Sequence, residues 1–279
     1  MLKLNLNVLA RHVVIACSNL KGGEGKTTVI RHLIHFAAEV LGFRVLAVDL
    51  DPQGNLSDSL IGFQRPAGFT TTAELFGEEF DPAQVKPVEV PGSNGNIFLL
   101  PSDHRLDLLA ELDGDRKVFV KRASSHLRAM AKNFDIVLID TPTNAPLCYL
   151  AGLAAADGSV SPVQMDTYGL TGATRFQQQL QRVRSTYNPR HRLLGFVVNR
   201  FNTRAKSHGE TLANAREKQL PILQTVLKER VAVQDALARA MPVWRGPRGT
   251  VNRTASQEFK AMCQEVLTAA GVLAAEGAK

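Results

Sequence analysis

Apolar residues along the chain fall into two rhythms. Short, mostly apolar runs stand at Val13–Cys17, Val45–Leu50, Ile136–Ile139, Val160–Gln164 and Leu193–Asn199, with the length and β-branched content of strands buried on both faces. Between them come segments with helical spacing. One runs from about Lys26 to Leu41 and stops near Gly42. One helix or a pair covers about Arg105–Lys132, apolar at Leu106, Leu109, Leu112, Val118, Leu127 and Met130. A further helix spans Leu170–Tyr187, and a last one Thr254–Ala270, where Thr254 and Gln257 have capping-box spacing. Phe69–Asp103 carries Pro82, Pro87, Pro91, Gly92 and Gly95 in loop-like clusters around one short strand, Ile97–Ser102. Pro162 is expected near the end of its strand. Strand alternating with helix predicts a single doubly wound α/β domain with a mostly parallel sheet. Its expected extent is residues 12–270, between a short leader (1–11) and a C-terminal tail (271–279).

Composition narrows the classes without naming one. The 279 residues are 44% hydrophobic and 21% charged, ample for a buried core. No apolar run approaches the ~20 residues of a membrane span, and Met1–Arg11 lacks the apolar core and cleavage site of a signal peptide. Cys17, Cys148 and Cys263 are far apart and odd in number, so buried, reduced thiols and a cytoplasmic setting are expected. The net charge of +7 is unevenly placed: Arg175–Lys260 holds 17 Lys and Arg against 5 Asp and Glu, a local +12, which leaves −5 for the rest. A basic C-terminal third suggests a face for a polyanion.

The stretch with the most chemistry is Leu20-Lys21-Gly22-Gly23-Glu24-Gly25-Lys26-Thr27-Thr28, set between the first strand and the first helix. Glycines let backbone N–H groups turn onto a polyphosphate, and the helix that follows adds its N-terminal dipole. Gly22, Gly23, Glu24, Gly25, Lys26, Thr27 and Thr28 are therefore the nucleotide-binding candidates, with Lys26 on the β/γ-phosphates and the Thr27 hydroxyl on Mg²⁺. The usual first glycine of such a loop is replaced by Leu20, and a second lysine, Lys21, precedes the glycine pair. Two strands end in acids. Asp49 and Asp51 stand two residues apart and are expected to point the same way, while Asp140 closes Ile136–Ile139 as a metal-binding acid.

Lys-Gly-Gly-x-Gly-Lys-Thr together with Asp51-Pro52-Gln53-Gly54-Asn55 and the strand ending in Asp140 resembles the ParA/MinD family of ATPases, with their deviant Walker A loop, over roughly residues 12–270. The resemblance implies a P-loop NTPase fold, ATP and Mg²⁺ as ligands, and a homodimer that closes over nucleotide. It makes Lys21 reach the partner's phosphates, so that Lys21, Lys26 and Asp51 are catalytic, Asp51 addressing water. It assigns Thr27, Asp49 and Asp140 to the metal, and Asn199 with Arg200 to the nucleotide, Asn199 reading the adenine edge. It also implies non-specific binding to double-stranded DNA through the basic third, with Arg204, Arg216, Arg230 and Arg245 as preferred contacts. A ParB-like adaptor, plasmid or chromosome partition, a nucleoid-associated place in the cytoplasm and no membrane contact complete the expectation.

Two departures stand out. Relatives commonly continue the acid of switch II into two prolines, whereas this chain has Asp140-Thr141-Pro142-Thr143-Asn144. They also place a small or apolar residue where Glu24 stands; that carboxylate is expected to face outward, toward the dimer partner, and to pair with a lysine or arginine. Three rival classes share the site. A MinD-like membrane regulator needs an amphipathic anchor that the C-terminus lacks, and an iron-protein-like reductase needs a second cysteine near Cys148. A cargo-positioning or conjugation accessory ATPase differs from a partition protein only in its partner.

Overall fold

A computed structural model describes residues 12–63, 67–111, 114–166, 169–247 and 249–274. The leader 1–11, Leu112, Arg248 and the last five residues of the expected tail lie outside the described residues.

The apolar runs form strands as their composition requires: β1 (Val13–Cys17), β2 (Val45–Asp49), β4 (Ile97–Leu100), β5 (Ile136–Asp140), β6 (Gly158–Val163), β7 (Arg192–Phe201) and β8 (Ile222–Lys228), with a two-residue β3 (Val88–Glu89). The sheet order is β3-β4-β2-β5-β1-β6-β7-β8. Every described pairing is parallel except β3 with β4, an antiparallel edge that the alternation of strands and helices gave no hint of. Adjacent residues of β1 feed opposite layers. Ile15 and Cys17 pack with α1 (Lys26–Glu39) and α9 (Thr250–Ala269). Val14 and Ala16 pack with α4 (Arg116–Ala131), α5 (Pro146–Ala155) and α6 (Gly169–Thr186). The remaining helices are α2 (Asn55–Ile61), α3 (Arg105–Leu108), α7 (Lys206–Glu217) and α8 (Val231–Ala238). Helices cover both faces of a mostly parallel sheet, which is the doubly wound class expected. All three cysteines are free and buried, and no helix among the described residues is long and apolar enough to cross a membrane.

Three local expectations give way to tertiary contacts. Pro162 sits inside β6, paired with Val197, not at its end. Its carbonyl faces the β1 side and accepts from the Asn19 amide, and its ring nitrogen shares that edge, where β1 has already stopped pairing at Val160. No ladder hydrogen bond is lost. The last helix starts one turn before Thr254, whose hydroxyl donates back to the Thr250 carbonyl instead of capping. The Arg105–Lys132 segment takes the second of its two expected forms, a pair of helices, α3 and α4, with a 3₁₀ turn at Leu109–Glu111. Val272 and Leu273, placed in the tail, are 3% exposed and belong to the core.

One seam joins the nucleotide loop's helix to the basic third. Arg31 on α1 is 2% exposed and donates to the Met241 carbonyl at 3.0 Å; burial lowers its guanidinium to about 10. Next to it, His32 accepts from the Val243 N–H through Nε2, and burial holds it neutral, with its pKa lowered to about 3. Glu39 at the end of α1 accepts from Trp244 and pairs with Arg245.

Candidate functional site: a cleft at the carboxyl ends of the strands

The glycine loop folds as its composition dictates. Gly25 takes φ 96°, a left-handed turn that L residues avoid, and its carbonyl accepts from Val29 to start α1. The loop opens onto a cleft of about 470 Å³ at the carboxyl ends of β1, β2 and β5, where open α/β sheets hold ligands. Gly22, Gly23, Gly25, Lys26, Thr27 and Thr28 line it, together with Asp51, Pro52 and Gln53 after β2 and Pro142, Thr143 and Asn144 after β5. Arg200 closes the loop side, donating to the Gly23 carbonyl at 3.2 Å. Its φ of 51° and the register shift in β7 aim the guanidinium there.

Lys26 is 8% exposed, and its ammonium donates to the Thr143 hydroxyl at 2.7 Å. Thr27 donates to Asp140 Oδ2 at 2.6 Å. The other oxygen of Asp140 is buried with no hydrogen-bond partner. Burial, then the Asp49 charge, pushes the Asp140 carboxyl well above the usual carboxylate range. A hydroxyl beside a buried carboxylate with a spare oxygen suits a hard divalent cation, whose charge would remove the penalty that raises the pKa. Among the described residues no cluster of three or more His, Cys, Asp or Glu side chains could hold a metal by itself. The donor set therefore fits a cation completed by phosphate oxygens and water.

Asp49 and Asp51 do not point the same way, because β2 ends at Asp49. Asp51 lines the cleft. Asp49 turns inward, accepting from the Ser57 N–H and hydroxyl at 2.8 and 2.7 Å and from the Asp51 N–H at 3.1 Å. Ser57, in turn, accepts from the Ser102 N–H. These serines support the site and carry no local signal in the sequence; Thr143, Asn144 and Asp107 at the rim were likewise missed. Burial raises Asp49 from 3.8 to about 6. The folded chain thus keeps a proton that the unfolded chain releases, so this residue's contribution to stability falls as pH rises from 3.8 to about 6. In the absence of Mg²⁺, the stability of the natural chain relative to Asp49→Asn should fall as pH rises through that window. Denaturant melts of both proteins at several pH values measure it; parallel pH profiles would remove the assignment.

Glu24 is the main reversal. It does not face outward but is 2% exposed and does not line the cleft. Its carboxylate accepts from the Gln164 N–H at 2.6 Å and pairs with Lys21 at 2.8 Å. Lys21 also donates to Asp166 at 2.7 Å. Asn199 is 5% exposed and donates to the Glu24 carbonyl at 2.8 Å. It borders a separate cavity of about 50 Å³ beside Thr28 and Arg230.

The four arginines proposed for DNA divide into two pairs. Arg204 and Arg216 are exposed, before and within α7. Arg230 instead clamps Glu258 with two nitrogens, at 2.6 and 3.1 Å, and Arg245 pairs with Glu39 at 3.0 Å. Arg230 thus ties β8 to α9, and Arg245 ties the basic third to α1, so each already has an acid as its partner within the chain.

Comparison with known proteins agrees with this geometry. A family model described as an AAA domain matches residues 12–193. The chromosome-partitioning ATPase Soj of Thermus thermophilus is 33% identical over 265 residues, covering 90% of this chain and 96% of that protein. Protein IncC of Escherichia coli is 32% identical over 250 residues, 89% of this chain and 67% of IncC. Among solved structures, Cyanothece McdA in an ATP complex superposes with a TM-score of 0.76 at 23% identity, over 94% of this chain and 97% of that one, which speaks for the fold. A glycine loop opening α1, an acid at the tip of β5 and this similarity along nearly the whole chain place it in the ParA/MinD family of P-loop ATPases.

Proposed function

We propose that the chain is a Mg²⁺-dependent ATPase that dimerises on ATP, binds double-stranded DNA without sequence preference, and lets go on hydrolysis to position a plasmid or chromosome. The observation that carries the ATPase part is the convergence of Lys26, Thr27 and Asp140 on one cleft, with one oxygen of Asp140 unpartnered. Lys26 would exchange the Thr143 hydroxyl for phosphate oxygens. Thr27 and Asp140 would hold the cation, directly or through water, with Asp49 orienting the strand ends behind them. The bound cation supplies charge neutralisation as the γ-phosphate leaves. Asp51, in the lining of the same cleft, orients or deprotonates the attacking water. Asn199 and Arg200 hold the loop, and Asn199 is proposed for the adenine edge. Lys21 is proposed to act on the partner's phosphates, as the deviant loop of the family implies. A ParB-like adaptor would stimulate turnover, and the setting would be the nucleoid in the cytoplasm.

Arg204 and Arg216 carry the DNA part: exposed cations on one helix and the loop before it can reach backbone phosphates. Two copies in a dimer double the contacts, so affinity should rise steeply with MgATP. A salt titration of fluorescent random-sequence duplex tests this. Log K should fall linearly with log salt, and the slope should shrink by roughly 0.9 for each phosphate contact removed. The double reversal Arg204→Glu with Arg216→Glu should weaken binding to every duplex alike while dimerisation survives. Binding indifferent to salt and nucleotide would leave a protein-directed ATPase switch in place of a DNA carrier.

A further inference from the structure

We infer that Glu24 is a positioning residue that sets how readily two copies of this chain close over nucleotide, by holding Lys21 within its own protomer. The inference rests on the proposal that Lys21 serves the partner's phosphates. Lys21 is clamped between two carboxylates: Glu24 at 2.8 Å and Asp166 at 2.7 Å. The two acids differ in what they can do. Asp166 is on the rim, and with its side chain 36% exposed it can be hydrated when the lysine leaves. Glu24 cannot. Its side chain is 3% exposed, and its second oxygen is fixed by the Gln164 N–H just past the end of β6.

Departure of Lys21 therefore leaves a buried carboxylate without its counter-charge, an arrangement far less favourable than an exposed acid losing a partner. Gln164 also donates its side-chain amide to the Gly23 carbonyl, and Asn199 holds the Glu24 carbonyl. With the loop tied at three points, Glu24 stays behind when Lys21 moves. The direction of the Lys21 shift agrees: contact with Asp166 first, and with Glu24 second, raises its pKa above the ordinary lysine value. A loop with a small residue at this position would hold Lys21 through the rim acid alone. Glu24 thus raises the nucleotide and protein concentration needed for closure.

The test is sedimentation of the full chain with a slowly hydrolysed ATP analogue and Mg²⁺. Glu24→Gln keeps an oxygen acceptor for the Gln164 N–H and removes the charge that holds Lys21. If the pair disfavours release about fivefold per protomer, two protomers give a dimer that forms about 25-fold more tightly in Glu24→Gln. Lys21→Ala should weaken the dimer, and the double variant should match Lys21→Ala, because Glu24 acts only through Lys21. A merely structural role would weaken the dimer in Glu24→Gln and would add to the effect of Lys21→Ala. Asp166→Asn provides an independent arm with a smaller shift of the same sign, which carries the test if Glu24→Gln melts early. Dimerisation of a well-folded Glu24→Gln that is unchanged or weaker overturns the inference while leaving the dimer reading intact. A natural chain that stays monomeric with the analogue overturns both.

Discussion

Lys26→Ala should lose ATP binding almost entirely, by about 100-fold or more in Kd, while Asp51→Ala should bind MgATP as the natural chain does and hydrolyse it roughly 100-fold more slowly. The two residues line one cleft but differ in what they can touch. Lys26 is nearly buried, at the first turn of α1, and its ammonium is held by a single hydroxyl, Thr143. A neutral hydroxyl is a weaker partner than a phosphate oxygen, so phosphate displaces it. A charge-assisted contact of this kind is worth about 1.5–3 kcal/mol in a site with little water, and Lys26 makes more than one such contact with a β/γ-phosphate pair. The Asp51 carboxylate accepts from the Gln53 N–H and lines the same cleft. Its contribution is to the water, for which positioned acid–base groups give about 10²–10⁴-fold. Equilibrium binding of a fluorescent ATP analogue and phosphate release separate the two effects. Normal turnover in Asp51→Ala would remove its assignment; retained binding in Lys26→Ala would remove the cleft as the nucleotide site.

Gly25→Ala should be nearly as damaging, for a reason that lies in the backbone. At φ 96° an L residue is strained by roughly 1–2 kcal/mol. A Cβ there would also stand 2.2 Å from the Asn199 amide nitrogen, displacing the group that donates to the Glu24 carbonyl. Breaking that buried hydrogen bond costs a further 1–3 kcal/mol or so. The sum is a large part of the ~5–15 kcal/mol that holds a domain folded. The melting temperature of Gly25→Ala should drop by several degrees and nucleotide affinity should fall at least ~10-fold, because the loop can no longer present its N–H groups. Adding Asn199→Ala should recover the steric part of the stability but not the affinity. A Gly25→Ala protein as stable and as tight as the natural chain would show that this loop conformation is not the one that binds.

Whatever depends on neighbours along the chain was legible in the sequence. Short, mostly apolar runs rich in β-branched residues became strands because burial on both faces suits such a run. Glycines followed by Lys26 and Thr27 became a loop and helix start because backbone geometry there is local. An acid directly after Ile136–Ile139 must emerge at a strand tip, and Asp140 does. Tertiary structure decided everything that depends on which strand ends meet. Nothing near Glu24 in the chain shows that the β6 end, 140 residues away, offers a free N–H to it. Nor does the local run around Asp49 show that Ser57 and Ser102 will fold over it, or that Arg230 and Arg245 have acids waiting on α9 and α1. Charge and residue type give the strength of such contacts; only the crossing order of the sheet, β2-β5-β1-β6-β7, gives the partner. The ATP site is therefore mostly written in one short stretch, and its control is written in pairs of residues far apart in the chain.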